Sequence, residues 1–310
     1  MLNSKNGNFG IKDCVCQVVT MQLAKGNGWL YSAGRSSIQR QGAANNWACG
    51  YYRCQTQWKE TVRELVRREV EDCDWLEGFF PLMSLAGGTG SGLGSMVTET
   101  LREDYPRTPI LNHVVCPFYQ GEVSVQSYNV VMSAASLTTS ADGLVILEND
   151  QLLRVITQRL GVRDACMNDL NTLAAQQMAS LYLPACLPTS HFSSTLGSHS
   201  CNPIYYGPKH YGDILAHCVP HPQYKLLGLR MVPQEPVASR PFSTLAWTSL
   251  VRSLRRMLLY GATMDGVKGW KLFGVRAFLH QYTQYGMEQE DFVESFARVE
   301  QMLASYSKLH

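Results

Sequence analysis

The stretch that decides the fold of this 310-residue chain is Ala86-Gly87-Gly88-Thr89-Gly90-Ser91-Gly92-Leu93-Gly94. It follows an apolar, strand-like run at 79–85 and leads into a helix-like run at 95–102. A glycine-dense turn between strand and helix lets backbone N–H groups approach a phosphate, with the positive end of the helix behind them. Five glycines in eight residues, with two hydroxyl side chains among them, favour a phosphate site over an ordinary tight turn.

Two common phosphate-binding motifs do not fit these residues. A P-loop needs a lysine after its last glycine, but Leu93 follows Gly92. A dinucleotide fingerprint needs a third glycine, and the three possible frames have Leu93, Ser95 or Val97 at that position. The stretch is therefore expected to hold phosphate through backbone amides and hydroxyls, without a lysine.

Composition excludes several classes of protein. The chain is 45% hydrophobic with a formal net charge of +2, which gives no electrostatic reason to expect a nucleic-acid partner. No apolar run approaches the roughly 20 residues that span a bilayer, so no membrane partner is expected. Ten cysteines at irregular spacing, without a C-x-x-C pair, predict reduced thiols in a cytosolic compartment.

Helical and strand patterns alternate at short intervals through the first two thirds of the chain. This alternation is typical of βαβ units on a parallel sheet and predicts an α/β fold. Four apolar residues of the last segment recur at helical spacing and predict a helix that docks on the core. The predicted strands are 79–85, 109–116, 143–147 and 224–232, and the predicted helices are 59–73, 95–102, 123–138, 149–160, 168–183, 210–218, 243–260, 271–285 and 289–306.

The GGTGSG letters, in this strand–turn–helix setting, resemble the signature of the tubulin and FtsZ superfamily. Residues 41–51 resemble the tubulin loop G-A-G-N-N-W-A-x-G, with Ala44 in place of a glycine. Residues 219–222 resemble the segment that follows the eighth tubulin helix. Residues 276–292 resemble the last two tubulin helices. Within the family the resemblance is closest to the delta subfamily, on residues 84–86, 121–123, 219–222 and 304–306.

The resemblance implies a truncated Rossmann-like parallel sheet with helices on both faces, a partial α+β intermediate domain and a C-terminal helical hairpin. The first 35 residues contain neither the G-Q-C-G-N-Q-I-G loop nor the D-x-E-P loop of tubulins, and a second break lies at 264–270. We therefore expect a shortened isoform or an incomplete gene model. The predicted domains are a weakly structured, non-tubulin-like N-terminus (1–36), a partial GTP-binding domain with the core helix (37–188), a partial intermediate domain (189–268) and C-terminal helices (269–310).

The resemblance also implies a nucleotide site that binds GTP or GDP. Mg²⁺ is compatible with such a site, although the loop that usually supports it is absent. An amide side chain offers a donor and an acceptor, which suits the edge of guanine, although each asparagine alone could equally cap a helix. The implied contacts are Ala43, Ala44, Asn45, Gly87, Gly88, Thr89, Gly90, Ser91 and Gly92 to phosphate, Glu122 and Gln126 to ribose, and Asn149, Met167 and Asn171 to guanine.

A possible catalytic residue and a possible metal pair complete the candidates. Asp213 stands where the resemblance implies an acidic residue that positions water at the nucleotide of the next subunit, but capping of its own helix is an equal alternative. His217 and His221 have the spacing of a zinc pair, but Pro220 breaks the helix between them and no third ligand is evident. No metal site is therefore predicted.

The resemblance implies a GTP-binding cytoskeletal protein of microtubule-based processes, acting at centrioles, basal bodies and cilia. Its expected partners are other tubulins or centriolar and ciliary microtubule proteins, in the cytoplasm and at the centrosome, with the nucleus as a further compartment. One alternative is a GTP hydrolase that uses Asp213 and has, at most, weak activity dependent on assembly. Another is a nucleotide-free isoform that acts only through tubulin-family contacts.

Overall fold

A computed structural model describes residues 17–18, 36–37, 42–119, 124–182, 185–187, 204–206, 211–231, 248, 251–252 and 271–307. The strands are β1 (Gln17–Val18), β2 (Ser36–Ser37), β3 (Leu82–Ser84), β4 (Leu111–Cys116), β5 (Gly143–Glu148), β6 (Ala185–Leu187), β7 (Ile204–Tyr206) and β8 (Leu226–Gly228). The helices are α1 (Cys54–Glu71), α2 (Gly94–Asp104), α3 (Gln126–Ser140), α4 (Asn149–Arg154), α5 (Met167–Tyr182), α6 (Tyr211–Cys218), α7 (His280–Thr283) and α8 (Gln289–Ser307). π-Helical turns lead into α1 and α2 and follow α4, at Cys49–Arg53, Thr89–Leu93 and Val155–Arg159.

The centre of the fold is a parallel sheet with the strand order β3-β4-β5-β8. In the register of the strands, Ser84 faces Val115 and Val115 faces Leu147, so the carboxyl ends of the first three strands are level. β4 reads as a nearly continuous buried run, which is typical of a parallel strand covered on both faces. β1 with β2 and β6 with β7 form separate two-stranded pairs.

Helices cover both faces of this sheet, because alternate residues of each strand point to opposite sides. On one face, side chains of α1, α2 and α3 pack on Val114 and Leu144. On the other face, residues of α5 and α6 pack on Leu111 and Val145. The predicted α/β class with a parallel sheet and helices on both faces is therefore confirmed.

The last helix forms a second layer outside α3. Its apolar stripe includes Phe292, Phe296 and Val299, which pack on Tyr128 and its neighbours in α3. The stripe predicted from helical spacing is therefore a docked core face. None of the described helices combines the length and the hydropathy that a bilayer crossing requires.

Two local predictions are wrong. Residues 271–285 do not form one helix: Arg276 and Phe278 have φ values of 53° and 60°, and this left-handed backbone separates the helical residues 271–274 from α7. Reduced thiols are present at Cys49, Cys116, Cys166 and Cys218, but Cys73 is disulfide-bonded. The predicted helix at 243–260 falls, apart from 248 and 251–252, outside the described residues.

A buried histidine joins the middle of the sheet to the end of α5. The ring of His113 is stacked on Phe80 with the centroids 3.9 Å apart. Its Nδ1 lies 3.1 Å from the carbonyl oxygen of Leu111, and its Nε2 lies 2.8 Å from the hydroxyl of Tyr182. Because a carbonyl only accepts, Nδ1 carries the proton and the Tyr182 hydroxyl donates to Nε2. Burial lowers the pKa of His113 to about 3, so the ring is neutral in the folded protein.

This neutral ring predicts a loss of stability in mild acid. Below pH 6.5 the unfolded chain binds a proton at His113, whereas the folded chain binds this proton only below about pH 3. Each pH unit in that window costs about 1.4 kcal/mol, so about 2 kcal/mol of unfolding free energy is lost between pH 6.5 and 5.

Urea unfolding of the wild type and of His113→Gln at pH 7 and pH 5 tests this. We expect the variant to be less stable at pH 7 but to lose about 2 kcal/mol less than the wild type on acidification. Equal losses in the two proteins would contradict the assignment.

Candidate functional site

The segments predicted to bind nucleotide meet at the carboxyl edge of the parallel sheet. The glycine stretch follows β3, residues 117–119 follow β4, and Asn149 begins α4 directly after β5. Because the carboxyl ends of these strands are level, the segments that follow them lie at one edge. Ligands of open α/β sheets bind in this position.

The glycine stretch forms the first helical turn before α2. The amides of Gly92 and Leu93 donate to the carbonyl oxygen of Gly88, at 2.8 and 3.3 Å, which closes the π-helical turn. Within the described part of the chain, the amides of residues 87–91 have no backbone or side-chain acceptor. These N–H groups stand at the positive end of a helix, where an anion is the natural acceptor. The turn is therefore able to bind phosphate through its backbone.

The two hydroxyls of the glycine stretch have different surroundings. Ser91 is fully buried, and its hydroxyl donates to the carbonyl oxygen of Gly87. This bond holds the turn closed where Gly87 has a φ of 77°. Thr89 is partly exposed. Of the two predicted phosphate contacts, Thr89 therefore has the hydroxyl that is open to a ligand, whereas Ser91 shapes the turn.

Three glycines let the two predicted phosphate segments touch backbone to backbone. A Cβ atom on Gly88 would lie 2.3 Å from the carbonyl oxygen of Ala43. A Cβ on Gly50 would lie 2.1 Å from the oxygen of Gly88, and one on Gly92 would lie 2.1 Å from the oxygen of Trp47. Since no side chain fits in these spaces, the residues are glycine for packing as well as for backbone access.

The segment 42–46 forms a tight left-handed turn against the glycine stretch. Ala44 and Asn45 have φ values of 50° and 53°, and the amide of Asn46 donates to the carbonyl oxygen of Ala43 at 2.9 Å. Left-handed backbone costs a residue with a Cβ about 1–2 kcal/mol, which explains why a glycine is usual where Ala44 stands. The side-chain oxygen of Asn46 accepts a hydrogen bond from the amide of Cys49 at 3.1 Å and thereby caps the following helix.

One residue that the sequence did not reveal, Asn129, joins this turn to the rest of the protein. Its amide nitrogen donates to the carbonyl oxygen of Asn45 at 2.8 Å. Its oxygen accepts the amide of Trp47 at 2.9 Å and the hydroxyl of Tyr282 at 2.8 Å. Asn129 is fully buried. A lone asparagine in the apolar run of α3 was the only signal in the sequence.

The predicted ribose contacts are only partly described. Glu122 lies outside the described residues. Gln126 is buried at the start of α3, and its side-chain nitrogen donates to the carbonyl oxygen of Phe118 at 2.8 Å. It therefore links α3 to the segment that follows β4, at the same edge as the glycine stretch.

The predicted guanine contacts lie on two helices that pack together. Leu152 and Ile156 contact Leu170 and Leu173 in one buried cluster, which joins the segment of α4 to α5. Asn149 is half-buried at the start of α4. On α5, Asn171 and Met167 are exposed, Met167 by 57%. The fold thus places all three residues on helices that pack together at the carboxyl edge, and their contacts to guanine stay predictions.

Asp213 lies at the amino ends of the parallel strands, opposite the glycine stretch; we call this side the amino edge. It belongs to the first turn of α6, beside Tyr211. The hydroxyl of Tyr211 donates to the carbonyl oxygen of Phe79 at 2.9 Å, and its amide donates to Glu77 at 3.2 Å. Both partners precede β3, so this turn is at the amino end of the strands. Asp213 is therefore remote from the glycine stretch of its own subunit.

The described residues contain no group of three His, Cys, Asp or Glu side chains that could hold a metal ion. His221 is instead engaged locally, since its Nδ1 accepts the amide of Gln223 at 3.2 Å.

The backbone contact at Gly88 predicts the effect of adding one methyl group. In Gly88→Ala the new Cβ would overlap the turn at Ala43, so we expect the unfolding free energy to fall by at least about 2 kcal/mol. Gly212→Ala is the matched control, because its Cβ would meet open space in a helix, where alanine stabilises by up to about 1 kcal/mol. Denaturant unfolding compares the two, and a Gly88→Ala protein as stable as the wild type would refute the contact.

Comparison with known proteins agrees with this geometry. Residues 15–157 match the Tubulin/FtsZ family, GTPase domain. In an alignment 387 residues long, the chain is 30% identical to the tubulin delta chain of Mus musculus. The alignment covers 93% of this chain and 82% of the mouse protein. Its identity is 28% to the tubulin delta chain of Macaca fascicularis and 27% to that of Homo sapiens, each covering 93% of this chain and 83% of the relative.

The resemblance to the tubulin family and its delta subfamily, predicted from the glycine stretch and the short motifs around it, is confirmed. The parallel sheet, the backbone phosphate turn and the relatives agree with one another. The chain belongs to the tubulin family.

Proposed function

We propose that this tubulin-family cytoskeletal protein binds GTP or GDP at the carboxyl edge of its sheet and acts in centrioles, basal bodies and cilia. The observation that carries the binding proposal is the row of amides at 87–91, which have no acceptor among the described residues and adjoin the turn at 43–45. A row of N–H groups at a helix start suits a polyphosphate. The cellular setting rests on the resemblance to the delta subfamily.

In this proposal the chain recognises phosphate and base with different groups. The amides of 87–91 and the Thr89 hydroxyl hold the inner phosphates, and the turn from Ala43 to Asn45 faces the terminal phosphate. Glu122 and Gln126 contact the ribose. Asn149 and Asn171 pair with the guanine edge, since each amide offers a donor and an acceptor. The thioether of Met167 contacts the face of the base.

A bound Mg²⁺ would neutralise part of the phosphate charge. The described residues offer no cluster of metal ligands, so the ion would be held mainly by phosphate oxygens. The protein's own share is the orientation of those phosphates by the amides of the glycine turn.

The base contacts give a direct test of guanine recognition. Loss of one hydrogen bond to the base costs about 1–1.5 kcal/mol, so Asn171→Ala and Asn149→Ala should each weaken GTP binding about tenfold. Isothermal titration with GTP measures this. Asn168→Ala is the control, because this asparagine is exposed on the same helix and is not a predicted contact.

The titration also separates the proposal from the nucleotide-free alternative. A wild-type chain that shows no GTP binding would leave only a role through tubulin-family contacts. Equal GTP affinity in the wild type and both asparagine variants would place the base elsewhere.

A second candidate function, assembly-dependent GTP hydrolysis, is favoured by the position of Asp213. This carboxylate lies at the amino edge, whereas the proposed nucleotide lies at the carboxyl edge. A subunit therefore cannot present Asp213 to its own phosphates. A neighbour stacked in the same direction can, and its carboxylate would orient the attacking water.

The surfaces of the two edges support such stacking. Near Asp213, Trp75 is 79% exposed, and it is flanked by the exposed carboxylates of Asp74 and Glu77. At the other edge, the segment before α5 exposes Arg163 and Asp164 beside Val162. An exposed aromatic ring at one end and an exposed apolar side chain at the other can anchor such a contact, and Arg163 can pair with a carboxylate of the neighbour. Tubulin-family chains are therefore the proposed partners.

Assembly-dependent hydrolysis predicts a turnover rate that depends on protein concentration. In the wild type, single-turnover GTP hydrolysis per subunit should rise with concentration as subunits stack. Asp213→Ala should lower the assembled rate about 100-fold and leave GTP affinity unchanged, because the residue contacts only the neighbour's nucleotide.

Asp213→Asn is the matched variant, since it keeps the shape of the side chain and removes its charge. It should be as slow as Asp213→Ala if the carboxylate acts on water. A wild-type rate in either variant would exclude the hydrolase and leave a binding protein.

A further inference from the structure

An ion pair beneath α4 has no part in the nucleotide contacts described above. Arg230, which follows β8, and Glu148, the last residue of β5, extend the register in which Ile146 faces Gly228. One guanidinium nitrogen of Arg230 lies 3.7 Å from a carboxylate oxygen of Glu148. The exposed fractions of the two side chains are only 13% and 29%, so water screens the pair weakly.

Glu148 is also the residue from which α4 starts. It occupies the N-cap position, with extended backbone and no side-chain hydrogen bond to the helix. Asn149, the proposed guanine contact, is the next residue. A contact that fixes the side chain of Glu148 therefore also restrains the backbone of Asn149.

Several contacts hold this first turn in place. Leu152 is buried against α5, and the carboxylate of Asp150 accepts a hydrogen bond from the amide of Tyr119 at 2.8 Å. Only a small cavity of about 10 Å³ lies below the turn, lined by β5, α4, α5 and Arg230. The ion pair between Arg230 and Glu148 adds a contact at the N-cap, directly before Asn149.

We propose that Arg230 is a positioning residue of the base site: through Glu148 it fixes the first turn of α4 and with it the side chain of Asn149. The inference deepens the proposed function and rests on it for the role of Asn149. Its mechanical part is the claim that Arg230 restrains the first turn of α4, and this part does not require a nucleotide. β8 is thereby connected to base recognition, although no residue of β8 is a proposed ligand contact.

Amide hydrogen exchange in the nucleotide-free chain tests the mechanical part. Arg230→Met keeps the apolar stem of the side chain and removes its charge, and we expect exchange of the amides at 152–155, the first to bond within the helix, to become at least about tenfold faster. Exchange along α8 should not change. Arg107→Met is the control, since it removes an exposed arginine from the loop after α2, which does not contact Glu148, and should leave 152–155 unaffected.

The charge-swapped pair Glu148→Arg with Arg230→Glu should return exchange at 152–155 towards the wild-type rate. If Arg230→Met does not fold, Arg230→Gln serves in its place, because it also removes the charge. Unchanged exchange at 152–155 in whichever variant folds would overturn the proposal.

Nucleotide selectivity tests the consequence for the base. GTP and inosine triphosphate differ only in the 2-amino group of the base, so their affinity ratio reports on the guanine edge. We expect Arg230→Met to reduce the wild-type preference for GTP at least threefold, and Arg107→Met to retain it. A preference retained in Arg230→Met would overturn the role in the base site. A wild-type chain that binds neither nucleotide would refute the proposed function, whereas the exchange result would still decide whether Arg230 holds the turn.

Discussion

The architecture of the site depends on the close approach of two backbones. The turn at 43–46 and the helical turn at 88–93 touch where Gly88 meets Ala43, and Gly50 and Gly92 extend the contact. At such distances a Cβ atom has no room, so the sequence at these positions is dictated by sterics. The same closeness is the basis of the proposed phosphate site, which has no lysine. Two sets of backbone groups share one small volume, and N–H groups at a helix start would supply the positive charge.

That contact is stabilised from the far end of the chain. Asn129 takes hydrogen bonds from Trp47 and Tyr282 and donates one to Asn45, so a single buried amide joins three segments. The side chain of Asn46 adds a bond to the carbonyl oxygen of Gln281 at 2.9 Å. Since buried polar groups are costly when unpaired, these bonds also fix the relative position of the segments. The C-terminal helices thus brace the phosphate turn directly, besides covering the core.

The sequence was sufficient where the signal is local. The glycine stretch predicted a turn between strand and helix and indicated the family, alternation predicted a parallel sheet, and the apolar stripe of α8 predicted a docked helix. It was insufficient where geometry is set by distant residues. The three partners of Asn129 lie up to 153 positions away, and no local pattern reports such pairing. The inward hydroxyl of Ser91 and the left-handed backbone at Arg276 and Phe278 likewise have no local signal in the sequence, and the left-handed residues interrupt the helix predicted at 271–285.

A parallel sheet also gives the subunit two chemically different ends. Tyr182, at the end of α5, reaches His113 and stacks near Tyr211, so this end of α5 adjoins the turn that carries Asp213. The 16-residue helix is about 24 Å long, which brings Met167 to the other edge. A two-fold dimer whose axis passes through one end of the subunit joins like ends. A head-to-tail contact joins unlike ends, and such a contact repeats without closing unless the rotation forms a ring. In the proposed function, the nucleotide at the carboxyl edge and Asp213 at the amino edge would thus form one site, which neighbouring subunits stacked in one direction complete.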